Sequence, residues 1–445
     1  MQTDPETKIV TRFAPSPTGL LHGGNYRTAV FAYLFAHKTG GEFVVRIEDT
    51  DLKRSKKEYE DNIWETIEWL DVLPSRRYRQ SENGSRHTEL LKKLIEEGKA
   101  YVSQEEVKKE GDRSEVIRFK NPGKPVTFVD LIRGPITIDT TDLGDFVVAR
   151  SIDEPIFHFA VVVDDADEGV THVVRGEDHI SNTPRQILIQ EALGFTTPVY
   201  AHLPLVLDTS RAKLSKRRGA KALTQYRDEG YLPEAVINYL ALLGWHPEDE
   251  QELFSVSELI EAFSLERIQK SAGIFDDVKL KWFNQEHLKK LTAQDFAYRL
   301  KNFFALTGGD VPPYLEQIIP LLQERSQTLL EAKQAIESGE YDFLTREPEV
   351  TRELLLKGAK VEAPVAAAHL EKVLSMLENL EDFSSASLKE AIFGYATEAG
   401  RGAVLWPMRT ALSGKEKSPD PFTLGALLGK EKTLERLKNA RKMLQ

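Results

Sequence analysis

The stretch KIVTRFAPSPTGLLHGGNYRTAVFAYLFAHKTG, residues 8–40, decides the fold. Its first six residues, KIVTRF (8–13), alternate as a short strand does. GLLHGGN (19–25) then places glycines at 19, 23 and 24 around His22, and NYRTAVFAYLFAHKTG (25–40) spaces its apolar residues as a helix does. A strand, a glycine-rich turn and a helix therefore follow one another. EFVVRIED (42–49) is β-branched and apolar before it breaks into the acids of EDTD, so a second strand presents carboxylates at its C-terminal end. This is a βαβ unit, and its ligand side is the C-terminal edge of its strands. Missing side chains in the turn let backbone N–H groups approach phosphate oxygens, and the helix N-terminus adds partial positive charge. Taken alone, His22 stays open between a phosphate ligand and a loop residue.

Outward from this unit, SKKEYEDNIWETIEWLDVL (55–73) reads as an amphipathic helix with Tyr59, Ile63, Ile67 and Leu70 on one stripe. From about 101 to 157 the texture changes to short strand-like pieces split by turns, which reads as a β-rich insertion. HFAVVVDD (158–165) and THVVRGED (171–178) read as buried strands ending in charges, so the parallel sheet resumes there and the first domain is discontinuous. The acids of DDADE (164–168) read as solvated loop carboxylates rather than a metal site. After about residue 224 the chain is nearly all helical pattern, as in LPEAVINYLALLGW, where a proline stands near the helix start.

At 445 residues the chain is long enough for roughly two to four domains. Its 41% hydrophobic and 29% charged residues are ordinary for a globular protein and exclude wholesale disorder. The absence of cysteine removes disulfides, thiolate nucleophiles and cysteine-based zinc sites. The N-terminal residues have no charged head followed by an apolar core, and no apolar run approaches the roughly 18–20 residues needed to span a bilayer, so the expectation is a cytoplasmic protein with no membrane partner. A net charge of −11 argues against nonspecific coating of nucleic acid. From Arg401 onward, however, ten basic residues face four acidic ones. That segment is either a polyanion surface or a solvated helix face.

A second motif, RAKLSKRRGAKAL (211–223), crowds six cations into a loop with small residues and a glycine. Such a loop can fold over a triphosphate, and most basic loops are general anion sites or solvated faces. The two motifs together are far more specific. Pro17, Gly19, His22 and Gly24, with Lys213-Leu214-Ser215-Lys216 about 190 residues later, resemble the HIGH and KMSKS signatures of class I aminoacyl-tRNA synthetases. Asn25 stands where the second histidine of the first signature would be.

RFAPSPTGLLHGG, RIEDTD, GVTHVVRGEDHISNTPRQ, KLSKRRGA and GYLPEAVINYLALLGW, with the terminal MRTALSGKEKSPDPF, are together similar to the bacterial-type glutamyl-tRNA synthetase family. The resemblance implies an α/β fold. A Rossmann-type parallel-sheet catalytic domain would occupy residues 1–77 and 158–210, interrupted by an α+β acceptor-end-binding insertion at 78–157. A KMSKS-like loop and stem-contact domain would follow at 211–290, then an all-helical anticodon-binding region at 291–445. It implies catalytic roles for His22, Lys213 and Lys216. ATP would be bound by these three with Gly24 and, near the ribose, Asp178. Arg12, Ser16 and Arg175 would hold glutamate carboxylates and Glu48 its amino group, with Ala14 and Phe157 beside the substrate; Phe157 replaces the family's usual tyrosine and lacks its hydroxyl. Arg409 would contact the tRNA anticodon. Mg²⁺ is expected to arrive with ATP rather than in a protein cage. AYVSQEEVKKEGDRSEVIRFKNP (100–122) holds neither cysteine nor histidine, so no zinc is expected. The implied partners are L-glutamate and tRNA(Glu), with tRNA(Gln) as a further substrate of a non-discriminating relative, and the implied state is a monomer.

Overall fold

The computed structural model describes residues 8–106 and 114–445. The chain forms two compact units, Met1–Leu288 and Lys289–Gln445. In the first, β1 (Val10–Phe13), α1 (Gly23–Lys38) and β2 (Glu42–Ile47) make the expected βαβ unit, with parallel strands and Thr11 opposite Phe43. Helix α2 (Lys57–Trp69) leads to β3 (Arg76–Arg79), which pairs parallel to β2. Ile63, Ile67 and Leu70 are buried as the stripe predicts, and Tyr59 is half-buried.

Helix α3 (Gly84–Glu96) opens a run of short strands: β4 (Ala100–Gln104), β5 (Glu115–Phe119), β6 (Pro125–Asp130), β7 (Gly134–Asp139), β8 (Phe146–Ser151) and β9 (Glu154–Pro155). Four of them form an antiparallel sheet in the order β4-β5-β8-β9. The β6–β7 hairpin goes elsewhere. After α4 (Phe157–Asp167), β10 (His172–Gly176), α5 (Thr183–Leu193) and β11 (Val199–Leu203), the main sheet has the order β3-β2-β1-β10-β11-β6-β7. Six of these strands are parallel and only β7 runs against its neighbour. So a hairpin from the interrupting segment completes the edge of the parallel sheet, and β3 lies across the expected 77/78 boundary.

The sheet is covered on both faces, as parallel sheets require. Alternate residues of β2 face opposite cores: Phe43, Val45 and Ile47 pack in one cluster and Val44 in the other. The first cluster is closed by α1 and by the later elements β12 (Val206–Leu207), α6 (Leu223–Asp228), α7 (Pro233–Leu242), α8 (Val256–Ala262), Phe275 after β13 (Gly273–Ile274), and α9 (Asp277–Lys290). The second is closed by α3, α4, α5 and the antiparallel sheet.

One sequence expectation is overturned here. HFAVVVDD is not a strand; it lies in α4. A continuous apolar run carries no periodicity, so pattern cannot separate a buried strand from a buried helix. The acids that follow decide it. Asp164, Asp165 and Glu168 are 1%, 6% and 6% exposed and all reach Arg46 of β2. A strand would send Asp164 and Asp165 to opposite faces, whereas a helix brings all three to one side. These acids are therefore buried, not solvated; only Asp167 of the four aspartates and glutamates between 164 and 168 is exposed.

The second unit is helical: α10 (Ala293–Thr307), α11 (Leu315–Arg325), α12 (Leu329–Glu337), α13 (Arg352–Lys357), α14 (Ala363–Glu378), α15 (Ser385–Ala399), α16 (Arg401–Ser413) and α17 (Pro421–Leu444). Thr292, Thr328, Thr351, Ser384 and Asp420 cap their helices through side-chain oxygens that accept backbone N–H groups. α17 is kinked at Gly429, whose φ of 76° breaks the helical path. Among the described residues, no helix is long and apolar enough to cross a membrane.

Candidate active site

A cavity of about 510 Å³ opens at the C-terminal ends of β1, β2, β10 and β11. The chain leaves β1 toward β2 on one side and reaches β10 on the other, so the cavity sits where the strand order reverses, the ordinary ligand crevice of an open α/β sheet. Arg12, Ala14, Ser16, His22 and Gly24 line it, as do Glu48, Phe157, Arg175, Asp178 and Lys213. The backbone of Lys216 opens a short turn at 216–218; its side chain lies outside the described part of the structure. Arg409 belongs to the helical unit.

One end of the cavity is built from buried charge. Arg12, at the end of β1, is 4% exposed, with Nε 3.3 Å from Asp165 Oδ1. Arg175, near the end of β10, lies 5.2 Å over the Tyr200 ring and donates through Nη2 to Thr183 Oγ1 at 2.8 Å. Burial lowers its pKa to about 10, which leaves it charged at neutral pH. Glu48, at the end of β2, accepts from Arg46 Nη2 at 3.1 Å. Burial raises the Glu48 carboxyl, against the pull of Arg46 and Arg12. Asp165 is held below the usual carboxylate range: burial works to raise it, but Arg12 and Arg46 prevail. Phe157 rests against His179 with ring centroids 5.5 Å apart. Burial drives His179 down to about 4, so it faces the cavity as a neutral ring. Two cations beside a buried carboxylate suit a small amino acid with more than one carboxylate.

The other end is built from backbone. His22 is the N-cap of α1: its Nδ1 accepts from Gly24 N at 3.2 Å, while Asn25 Oδ1 accepts from His22 N at 3.1 Å. This reciprocal pair is a capping box. Asn25, at the position where a second signature histidine would stand, thus fixes the first. Gly23 has no room for a side chain, because a Cβ would come 2.5 Å from Phe275 Cε2. The two sequence motifs meet directly, since His22 and Ala222 form an antiparallel bridge. The basic loop is folded back on β12 through the Leu207–Lys213 bridge and a bond from Leu214 N to Val206 O of 2.9 Å. Lys213 Nζ lies 3.1 Å from Asp178 Oδ2. Gly176 makes room for that carboxylate: a Cβ there would meet Asp178 Oδ1 at 2.5 Å. A helix N-terminus with a histidine cap, faced by a lysine loop, suits a phosphate chain.

Residues 8–110 and 102–282 match the family model for the catalytic domain of class I tRNA synthetases of the E and Q type, and residues 295–441 match an anticodon binding domain. The chain belongs to this synthetase family. It is 41% identical to a glutamate–tRNA ligase of Aquifex aeolicus, across 97% of this chain and 98% of that one. A glutamate–tRNA ligase of Geobacter sulfurreducens is 39% identical, with 96% and 97% covered. The crystal structure of a glutamate tRNA ligase from Elizabethkingia meningosepticum in complex with its amino acid superposes with a TM-score of 0.84 at 31% identity, covering 98% of this chain and 100% of that one.

In the helical unit, Arg409 of α16 stacks at 4.6 Å on the Trp406 ring and donates through Nη2 to Glu416 O at 2.7 Å. It lines a cavity of about 450 Å³ with Arg325, Lys415 and Lys417. A synthetase of this family places its anticodon domain here in sequence, so the cationic cavity falls within the matched region.

Sequence reasoning missed the residues that hold the site residues. Arg46 is fully buried among Glu48, Asp164, Asp165 and Glu168. Arg27 of α1, 2% exposed, donates to Leu243 O at 3.0 Å and to Pro204 O, tying the cap of α1 to the turn after β11. Each had a signal: an arginine inside an apolar strand or on an apolar helix face needs a partner elsewhere.

Proposed function

We propose that the chain attaches L-glutamate to tRNA(Glu) at the expense of ATP, through a glutamyl-adenylate formed in the cavity of the first unit. The observation that carries this reading is the single cavity whose one end holds Arg12, Arg175 and Glu48 and whose other end holds the His22-capped helix and Lys213. In the family to which the chain belongs, such a site binds an amino acid and ATP side by side.

Arg12 and Arg175 take the glutamate carboxylates, and Glu48 takes the ammonium. The α-carboxylate then attacks the α-phosphorus of ATP, a P–O bond breaks, and pyrophosphate leaves. His22, the N–H groups at the start of α1, Lys213 and Lys216 stabilise the charge that builds on the phosphates. Mg²⁺ enters with ATP and neutralises its phosphates. Asp178 holds the ribose. In the second step a hydroxyl of the terminal tRNA adenosine attacks the glutamyl carbonyl and AMP departs. The interrupting segment at 78–157 receives the acceptor end, and the helical unit reads the anticodon through the cations around Arg409.

The test is aminoacylation of purified tRNA(Glu) and tRNA(Gln) with labelled glutamate, paired with tRNA-dependent ATP–pyrophosphate exchange. Charging of tRNA(Glu) is expected, and Lys213→Ala should reduce exchange by about 10²-fold or more. Absence of glutamate charging in the wild type would refute the assignment, and unchanged exchange in Lys213→Ala would refute the role of the loop.

A further inference from the structure

Arg175 does not stand alone at the floor of the cavity. Behind it, away from the lining residues, lies His202 of β11, which is 0% exposed. Arg175 Nε lies 3.1 Å from His202 Nε2, and on the far side of the ring His202 Nδ1 lies 2.7 Å from Asp130 Oδ2. Asp130, the last residue of β6, is 1% exposed. The same Asp130 oxygen accepts the backbone N–H of His202 at 2.9 Å. Its other oxygen accepts the N–H groups of Ile132 and Arg133 at 2.9 and 2.8 Å.

This arrangement dictates where the imidazole proton sits. A carboxylate that already accepts three backbone N–H groups is held ionised, so it accepts a hydrogen bond from Nδ1–H and has no proton to donate. Nδ1 therefore carries the hydrogen and Nε2 presents its lone pair to Arg175 Nε–H; Thr183 Oγ1, which accepts from Arg175 Nη2 and donates to His179 O at 3.1 Å, lies 3.2 Å from the same nitrogen. With Nη2 bonded to Thr183 and the guanidinium lying over Tyr200, two edges of Arg175 are fixed from behind. Among the described residues Nη1 makes no hydrogen bond, and it is the edge left for the cavity.

We propose that Asp130 and His202 are positioning residues for glutamate binding: Asp130 selects the Nδ1–H tautomer of His202, and that tautomer aims Arg175 at the substrate carboxylate. The inference rests on the reading of Arg175 as a glutamate ligand. It also gives the β6–β7 hairpin a task. This hairpin comes from the segment between the two halves of the sheet, and the last residue of its first strand reaches the amino-acid end of the cavity through one ring.

Two measurements test it. Nitrogen-15 NMR of histidine-labelled wild-type protein, with His202 assigned by the His202→Gln variant, should show Nδ1 protonated and Nε2 bare; in Asp130→Asn the proton should move to Nε2. A wild-type His202 protonated on Nε2 overturns the proposal without any assay of activity. Steady-state charging should show His202→Leu raising KM for glutamate by about tenfold to a hundredfold, with KM for ATP within about twofold of wild type. His202→Gln, which retains an acceptor for Arg175 Nε, should fall between the two. A general structural lesion would move both KM values together and overturn the positioning role. Failure of the wild type to charge glutamate would instead overturn the functional reading, and the tautomer measurement would still stand.

Discussion

Replacing Arg46 with methionine keeps an unbranched apolar stem and removes the guanidinium around which β2 and α4 are joined. The guanidinium has Nη2 at 3.1 Å from Glu48 and 2.8 Å from Asp165, and Nη1 at 2.7 Å from Glu168; none of it is exposed. Removing one partner of a buried ion pair costs about 3–5 kcal/mol, because the remaining charge is left in a medium that cannot solvate it. Protonation of a carboxyl relieves part of this. The variant should therefore lose about 3–5 kcal/mol of unfolding free energy at pH 7. Four of the five tryptophans lie within Met1–Leu288, so urea unfolding followed by tryptophan fluorescence reports chiefly on this unit. The sign of the pH dependence is set as well. Without Arg46 the Asp165 carboxyl loses one of the two cations that hold it low, and Glu48 and Glu168, already raised by burial, rise further, so the folded variant retains protons that folded wild type and the unfolded chain release. The contribution of these carboxyls is then fully present at low pH and is lost as pH rises, and the gap from wild type should widen between pH 5 and 8. A loss under about 1 kcal/mol at pH 7, or a gap that narrows with rising pH, would refute the view that Arg46 is the counter-ion of this cluster.

Three further outcomes follow from the same geometry. Burial, reinforced by Asp165 and Asp164 against the pull of Arg46, raises Glu168 to about 8, above an ordinary carboxyl near 4.5. The folded state therefore holds an extra proton on Glu168 in that window, so this group's contribution to stability falls as pH rises from about 4.5 to 8 by up to about 1.4 kcal/mol per pH unit, against the opposite contribution of the neutral His179 below about pH 6.5; in a pH series of urea midpoints wild type should lose stability relative to Glu168→Gln across that window. Asn25→Ala removes the acceptor for His22 N, and calorimetry should register a loss of about 1 kcal/mol, accompanied by weaker ATP binding because His22 is no longer held as the cap. Gly23→Ala forces a Cβ against the Phe275 ring and should cost about 1–3 kcal/mol; Phe275→Leu in the same chain should recover part of that cost, and strictly additive effects in the double-mutant cycle would contradict the close approach.

The end of the cavity built from the His22 cap and the basic loop was largely legible in the chain. Its parts are contiguous: a strand, a turn whose glycines and histidine lie within seven residues, and a helix with regular apolar spacing. The basic loop was equally plain as composition, and its pairing with the turn gave the family resemblance. The end built from buried charge was legible only through that resemblance, which named Arg12, Glu48 and Arg175 but not what steadies them. Arg46 and Glu168 are 122 residues apart, Arg12 and Asp165 are 153 apart, and His202 and Asp130 are 72 apart. No periodicity links such positions.

The short-range physics of the chain thus determined the βαβ unit, the glycine turn, the basic loop and the helical second half, because hydrophobic spacing and turn chemistry act over a few residues. Tertiary structure decided the rest. It made a helix of the apolar run at 158–165, since only a helix lets Asp164, Asp165 and Glu168 share Arg46. It sent the β6–β7 hairpin to the edge of the parallel sheet, which carried Asp130 to His202. Buried charges are stable only where partners from distant segments converge, and that convergence is a property of the folded chain.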